Sequence, residues 1–183
     1  MNKFVVLLGA CFAASAVAAE PARWTIDYAA SKLAFTAEQA EAQFDGSFGR
    51  FDADVRFDPA ALADSRADVS IDTGSVATAN KDRDGILRGA GWFESSSFPN
   101  ARFTVKEFVR TNDGFEARGQ LTIRTVTVPV KFVFTVAQTG NRMELHGSAD
   151  LDRLAFGLGT GEWADPKAIG TKVHVDATLV ASR

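Results

Sequence analysis

The sequence predicts an all-β fold, an antiparallel barrel of about eight strands carrying a short helix or lid segment. Three observations point to it: a hydrophobic period of two along most of the chain, turn residues placed to fold consecutive strands into hairpins, and one aromatic-rich break in that rhythm. The 183 residues, 46% hydrophobic and 23% charged, suit a single globular domain and exclude a disordered tail, a collagen-like fibre or a multidomain machine. A net charge of −3 argues against a surface that tracks nucleic-acid phosphates. Among the aromatics there are 15 Phe and 3 Trp but 1 Tyr, so most of the ring surface has no hydrogen-bonding handle.

The first segment stands apart from the fold. Met1-Asn2-Lys3 precedes an apolar run over residues 4–17, which ends in Ala16-Val17-Ala18-Ala19-Glu20. A basic start, a short apolar middle and small residues before a polar one describe a secretory signal peptide, too short for a comfortable bilayer span. The expected division is a signal peptide over 1–19 and a domain over 20–183. Cleavage after Ala18 or Ala19 removes Lys3, taking the net charge from −3 to −4, and removes Cys11, the one cysteine in the chain. Two other readings stand beside this one: an N-terminal core helix, and a lipoprotein box at Leu8-Gly9-Ala10-Cys11 with Cys11 acylated.

From Trp24 onward the strands follow in order. Trp24, Ile26 and Tyr28 alternate with Thr25 and Asp27, and Leu33 and Phe35 follow. Phe51, Ala53, Val55 and Phe57 share one face against Asp52, Asp54, Arg56 and Asp58, a half-buried antiparallel strand that Pro59 ends. Residues 44–48 and 68–73 add two short strands. Residues 101–110 pair across Asn112-Asp113-Gly114 with Phe115, Ala117, Gly119, Leu121 and Ile123. Val126, Val128, Val130, Phe132, Phe134 and Val136 form the next inward face, and Thr139-Gly140-Asn141 turns the chain. Met143, Leu145, Gly147, Ala149 and Leu151 come next, then Val173, Val175, Ala177 and Leu179. This many hairpin-linked strands curl or close a sheet and remove its edges. Inward faces that mix Phe and Val with Ala and Gly suit either a ligand cavity or a filled, interdigitated core.

Residues 78–98 break the rhythm. Asn80 or Asp82 is placed to cap a short helix whose Ile86 and Leu87, with Trp92, fold over one end of the barrel as a lid. A solvated charged turn accounts for Lys81 to Asp84 but leaves Ile86, Leu87, Trp92 and Phe93 unhoused.

Catalytic and metal chemistry finds little support. His146 and His174 fall on the polar phase of their strands, beside Glu144 and Asp176, and read as surface histidines. No His/Cys spacing suits zinc, and no Gly-x-Ser-x-Gly elbow occurs. Gly157-Leu158-Gly159-Thr160-Gly161 looks like a phosphate loop but follows an antiparallel strand, so it reads as a turn. Asp52, Asp54 and Asp58 read as a solvated acidic face rather than a calcium cage. No catalytic residue, metal or cofactor is expected.

The chain resembles the YceI-like family of exported lipid- or polyisoprenoid-binding proteins over nearly all of residues 24–180. The matching landmarks are Trp24-Thr25-Ile26-Asp27, Ser31 with Phe35, Phe44-Asp45-Gly46-Ser47-Phe48, Phe57-Asp58-Pro59 and Val69-Ser70-Ile71-Asp72-Thr73. They continue with Arg83-Asp84, Leu87-Arg88, Trp92-Phe93, Phe98-Pro99 with Phe103, Gly119-Gln120-Leu121-Thr122-Ile123-Arg124, and Arg153 with Phe156-Gly157-Leu158-Gly159. Three positions depart from it: Glu38 to Gln43, where many relatives place a histidine; Thr125, where a glycine is common; and Ala155, where an acid is frequent.

The resemblance implies an extended lipocalin-like barrel whose apolar interior holds a long amphiphile, such as a polyisoprenoid, an isoprenoid quinone or a fatty-acid derivative. It also implies a periplasmic location, homodimers and a membrane b-type cytochrome as a partner. The expected lining is Phe35, Phe48, Phe103, Val105, Leu121, Ile123, Phe132, Phe134 and Phe156, with Trp92 and Trp163 near the ends. Each of these also suits ordinary barrel core. The main expectation is a periplasmic carrier; the alternatives are a module docking on a membrane redox partner and an enzyme acting on lipid.

Overall fold

The computed structural model describes residues 21–183. The signal peptide expected over 1–19 lies outside them. The strands are β1 (Thr25–Ile26), β2 (Lys32–Gln39), β3 (Ala42–Phe48), β4 (Phe51–Arg56), β5 (Arg66–Asp72) and β6 (Val76–Ala77), followed by the helix α1 (Lys81–Arg88). Then come β7 (Asn100–Arg110), β8 (Phe115–Ile123), β9 (Val126–Thr139), β10 (Arg142–Asp152) and β11 (Lys172–Ser182). All pair antiparallel in one curled sheet, a half-barrel of order β4-β5-β7-β8-β9-β10-β11-β2-β3-β6, with β1 added to β11. Among the described residues the strands thus number 11 rather than about eight; the two-residue β6 is too short to show a period, and the run read from Trp24 to Tyr28 is cut to the two residues of β1.

β1 stitches the sheet together at one end. It pairs with β11 through Thr25↔Ser182 and Ile26↔Ala181, and the Trp24 N–H donates to the Val55 carbonyl of β4 at 2.9 Å. The Trp24 indole N–H donates to the Phe57 carbonyl, also at 2.9 Å, and the Arg183 guanidinium lies over the indole. Tyr28 departs from the expected inward phase. β1 ends at Ile26, residues 28–30 turn, and the Tyr28 ring packs edge-on to Phe51 at the surface.

The core divides into two clusters along the strands. At the stitched end, Trp24, Phe57, Phe108, Phe115, Phe134 and Met143 fill the interior. Phe57 contacts Phe108, Phe115 and Phe134 with ring centroids 5.2–5.5 Å apart, the offset and edge geometries that aromatic quadrupoles favour. The second cluster, built on Phe35, Leu87, Trp92, Leu121, Ile123 and Phe156, surrounds a cavity. A bulge between Val105 and Glu107 shifts the phase of β7, so Val105 and Phe108 both reach the first cluster.

Rings also cross to glycines on neighbouring strands. Phe35 covers Gly46, Phe103 covers Gly119, and Phe132 lies over Gly147, each too close for a Cβ at the glycine.

Phe57 is 2% exposed and touches three other rings. Phe57→Ala is therefore expected to cost about 3–5 kcal/mol. Urea unfolding would show it as a lower midpoint at unchanged slope; a midpoint near that of the unaltered chain would mean the stitched end repacks.

Candidate functional site

The cavity holds about 300 Å³ and opens beneath α1. The helix forms where the sequence places a cap: the Asn80 side chain accepts from the backbone N–H groups of Asp82 and Arg83, both at 3.1 Å. Asp84 fixes the helix to the end of β6, accepting from the Thr78 N–H at 2.8 Å and the Thr78 hydroxyl at 2.7 Å. Leu87 is thereby pressed into the core while Ile86 stays half-exposed at the cavity rim. A lid is thus present, as the unhoused apolar residues of this segment require.

Seven of the residues expected to line the cavity do border it: Phe35, Phe48, Trp92, Leu121, Ile123, Phe156 and Trp163. Phe103, Val105, Phe132 and Phe134 do not border it. Phe103 belongs to the same cluster but its ring is folded down over Gly119. Val105, Phe132 and Phe134 lie further along their strands, in the filled end. Sequence reasoning missed Leu33, Phe44, Ile71, Phe93, Leu151, Val173 and Val175, which also line the cavity. All seven are apolar; what hid the six on strands is that a period of two tells which face a residue takes and not which end of the strand is hollow, while Phe93 lies in the turns after α1.

Polar side chains on the lining gather near α1. Arg83 donates to the Thr78 hydroxyl at 2.9 Å and to Gln39 Oε1 at 3.1 Å, and its guanidinium lies 3.8 Å from the centroid of the Phe44 ring. With Asn80 and Asp82 these form a polar rim on an otherwise apolar chamber.

Arg153 is the other charged group on the lining, and it is held differently. It is 3% exposed, and its guanidinium donates to the carbonyls of Leu158, Gly159, Trp163, Ile169 and Gly170 at 2.6–2.9 Å. Burial draws this guanidinium below its ordinary pKa. The glycine-rich 157–161 stretch is the turn that presents two of these carbonyls. At Gly159 (φ +61°) a Cβ would fall 2.6 Å from Trp92 Cζ2 and 2.7 Å from Arg153 Nη1, so only glycine fits.

His146 and His174 are half-exposed on the outer face. His146 pairs with Glu144 at 2.9 Å; His174 lies 2.6 Å from Asp150 and 3.4 Å from Asp176. The hydrogen bond to Asp150 is the main cause that raises the His174 pKa. Among the described residues no group of three or more His, Cys, Asp or Glu is placed to hold a metal ion.

Comparison with known proteins places this geometry. A model of the YceI-like domain family matches residues 24–181. A UPF0312 protein of Yersinia pestis is 36% identical over 96 residues, 52% of this chain and 50% of that one. A UPF0312 protein of Pectobacterium atrosepticum is 38% identical over 86 residues, 47% of this chain and 45% of that one. The chain thus spans about half the length of the curated relatives it matches. Among solved structures, Burkholderia cenocepacia BcnA superposes with a TM-score of 0.82 at 31% identity, over 86% of this chain and 100% of that chain. A polyisoprenoid binding domain from Saccharophagus degradans, implicated in plant cell wall breakdown, superposes at 0.68 with 19% identity over 87% and 97%, a likeness of fold.

Two outcomes follow from the side chains at this end. Arg153→Leu leaves five carbonyls without their donor at about 1 kcal/mol or more each, so a loss of roughly 3–5 kcal/mol is expected. Trp92 and Trp163 beside it would report this as changed fluorescence, and an unaltered emission spectrum and midpoint would contradict it. His174, with its pKa raised in the folded state, adds stability that is fully present below about pH 6.5 and is lost as pH rises through the raised value. His174→Gln should therefore lower the urea midpoint in mildly acidic buffer and leave it unchanged in alkaline buffer.

Proposed function

The chain belongs to the YceI-like family, and on that footing we propose that it binds a long-chain amphiphile inside the half-barrel and carries it in the periplasm. A polyisoprenoid, an isoprenoid quinone or a fatty-acid derivative has the required chemistry. The observation that carries this reading is the lidded chamber of about 300 Å³, apolar except at one rim. Each methylene moved from water into such a chamber gains about 0.8 kcal/mol, so a hydrocarbon tail alone supplies about 8 kcal/mol, the equivalent of micromolar affinity before the cost of association, once roughly ten carbons are buried. Gln39, Asn80, Asp82 and Arg83 then meet the head group and set its direction. Binding rather than catalysis suits a chamber whose walls carry no nucleophile beside a base.

The N-terminal sequence supports export, with cleavage near Ala18 or Ala19. Intact mass of the protein recovered from the periplasmic fraction tests this: a start at Ala19 or Glu20 without lipid is expected, and a diacylated Cys11 would replace it with a membrane-anchored form.

The central test is organic extraction of protein purified from its own host, followed by mass spectrometry, with uptake of a polyprenyl or quinone probe by the delipidated protein. Recovery of an isoprenoid or fatty-acid amphiphile is expected, and bound ligand should raise the melting temperature in proportion to ln(1 + [L]/Kd). Val175→Trp, which fills the chamber from a half-buried position on β11, should lower probe affinity about tenfold or more while leaving the circular dichroism spectrum unchanged. No extracted amphiphile together with no probe uptake would overturn the reading.

A further inference from the structure

The chamber is small for the ligand class proposed. At about 30 Å³ for each water-sized group, 300 Å³ accommodates roughly ten heavy atoms, far fewer than a polyisoprenoid carries. The wall of the half-barrel holds a second space. Pairing of β9 with β10 ends at Val133↔Ser148, whereas β9 stays paired with β8 down to Val126 and β10 with β11 down to Asp152. The two strands therefore part, and a space of about 660 Å³ lies between them. Residues of both phases line it: Val130 and Ala149 from the inner face, Lys131 and Asp150 from the outer. A groove on one side of a sheet is lined by alternate residues, so lining by consecutive ones marks a slit through the wall. Leu151 and Phe156 border both the slit and the chamber, and the Phe156 ring, 1% exposed, stands between them.

We propose that the slit between β9 and β10 is a second subsite, which takes the distal part of an apolar chain too long for the chamber, with Phe156 as the gate between the two. The proposal rests on the carrier reading and extends it to chain length. A strand from another polypeptide fits the slit less well, because Pro129 sits in the middle of the unpaired stretch of β9 and removes a donor from its ladder. A chain that enters the slit exchanges water for the flanks of Val130, Ala149 and Leu151, so affinity continues to rise with length after the chamber is full.

The experiment compares geraniol, which the chamber holds alone, with solanesol, which it cannot, on the delipidated protein and on Ala155→Trp. Ala155 is exposed at the slit, so the added ring narrows it without entering either core cluster. The expected result is solanesol affinity reduced about tenfold in the variant, with geraniol affinity within about twofold of the unaltered protein. A solanesol analogue with a diazirine at its distal end should also label residues 128–131 or 148–152 in the unaltered chain. Equal affinities of both proteins for both alcohols, or labels confined to the chamber or to α1, would overturn the subsite and leave the carrier reading standing. Uptake of neither alcohol would overturn both. Amide-exchange protection of residues 126–132 that grows with protein concentration in the absence of ligand would assign the slit to strand pairing between copies, and so also overturn it.

Discussion

Five carbonyl oxygens converge on one buried guanidinium, and the open end of the half-barrel is built around that convergence. A cation removed from water costs several kcal/mol unless its donors are satisfied. For Arg153 no carboxylate does this: the five N–H groups are matched by main-chain dipoles from residues 158 to 170. Those residues lie outside the named strands; their far end is tied to β2 by Gly170 N–H to the Glu38 carbonyl at 2.9 Å and Ala40 N–H to the Ala168 carbonyl at 2.8 Å, and Arg153 gathers the path between. Lysine, with three donors on a single atom, lacks the planar fork that spreads to five acceptors. The same centre sets the chamber wall, because Trp92 lies against the guanidinium and over Gly159, and packs edge-on to Trp163 at 6.4 Å. A link from Gly159 N–H to the Gly91 carbonyl at 2.7 Å ties this turn to the segment after α1, so lid and wall are positioned together.

The period of two in the sequence corresponds closely to the sheet. Ala53, Val55 and Phe57 are buried and Asp52 and Asp54 face outward; the Asn112-Asp113-Gly114 turn joins β7 and β8 with Arg110 opposite Phe115. The lid was legible for a local reason, since an Asn cap followed by a short apolar pair specifies a helix with one buried side. Three features were not legible. β1 and β6 are two residues each, and their pairing is decided by distant edges. The role of Arg153 depends on carbonyls as far as 17 residues away, which no spacing rule encodes. The boundary between filled and hollow ends runs across six strands, so Phe132 and Phe134 look like Val128 and Val130 in the sequence although they fall on the other side of it.

That boundary follows from how large and small side chains meet. At the stitched end, Phe57 and rings from β7, β8 and β9 interleave with Ala53, Ala117 and Gly147, and Met143 is fully enclosed. At the other end, the Phe48 ring packs against Phe35 and Phe93 with centroids 5.6 Å apart, and the turns held by Arg153 supply Leu158, Trp163 and Ile169 to the chamber wall. Phe suits both ends, because a Tyr hydroxyl buried in either would need an acceptor that these walls do not offer. Among the described residues the indole N–H of Trp92 is a buried donor without a hydrogen-bond partner. A chamber so composed distinguishes ligands by length and thickness first and by polar groups second, since nearly every contact it offers is one that any hydrocarbon satisfies.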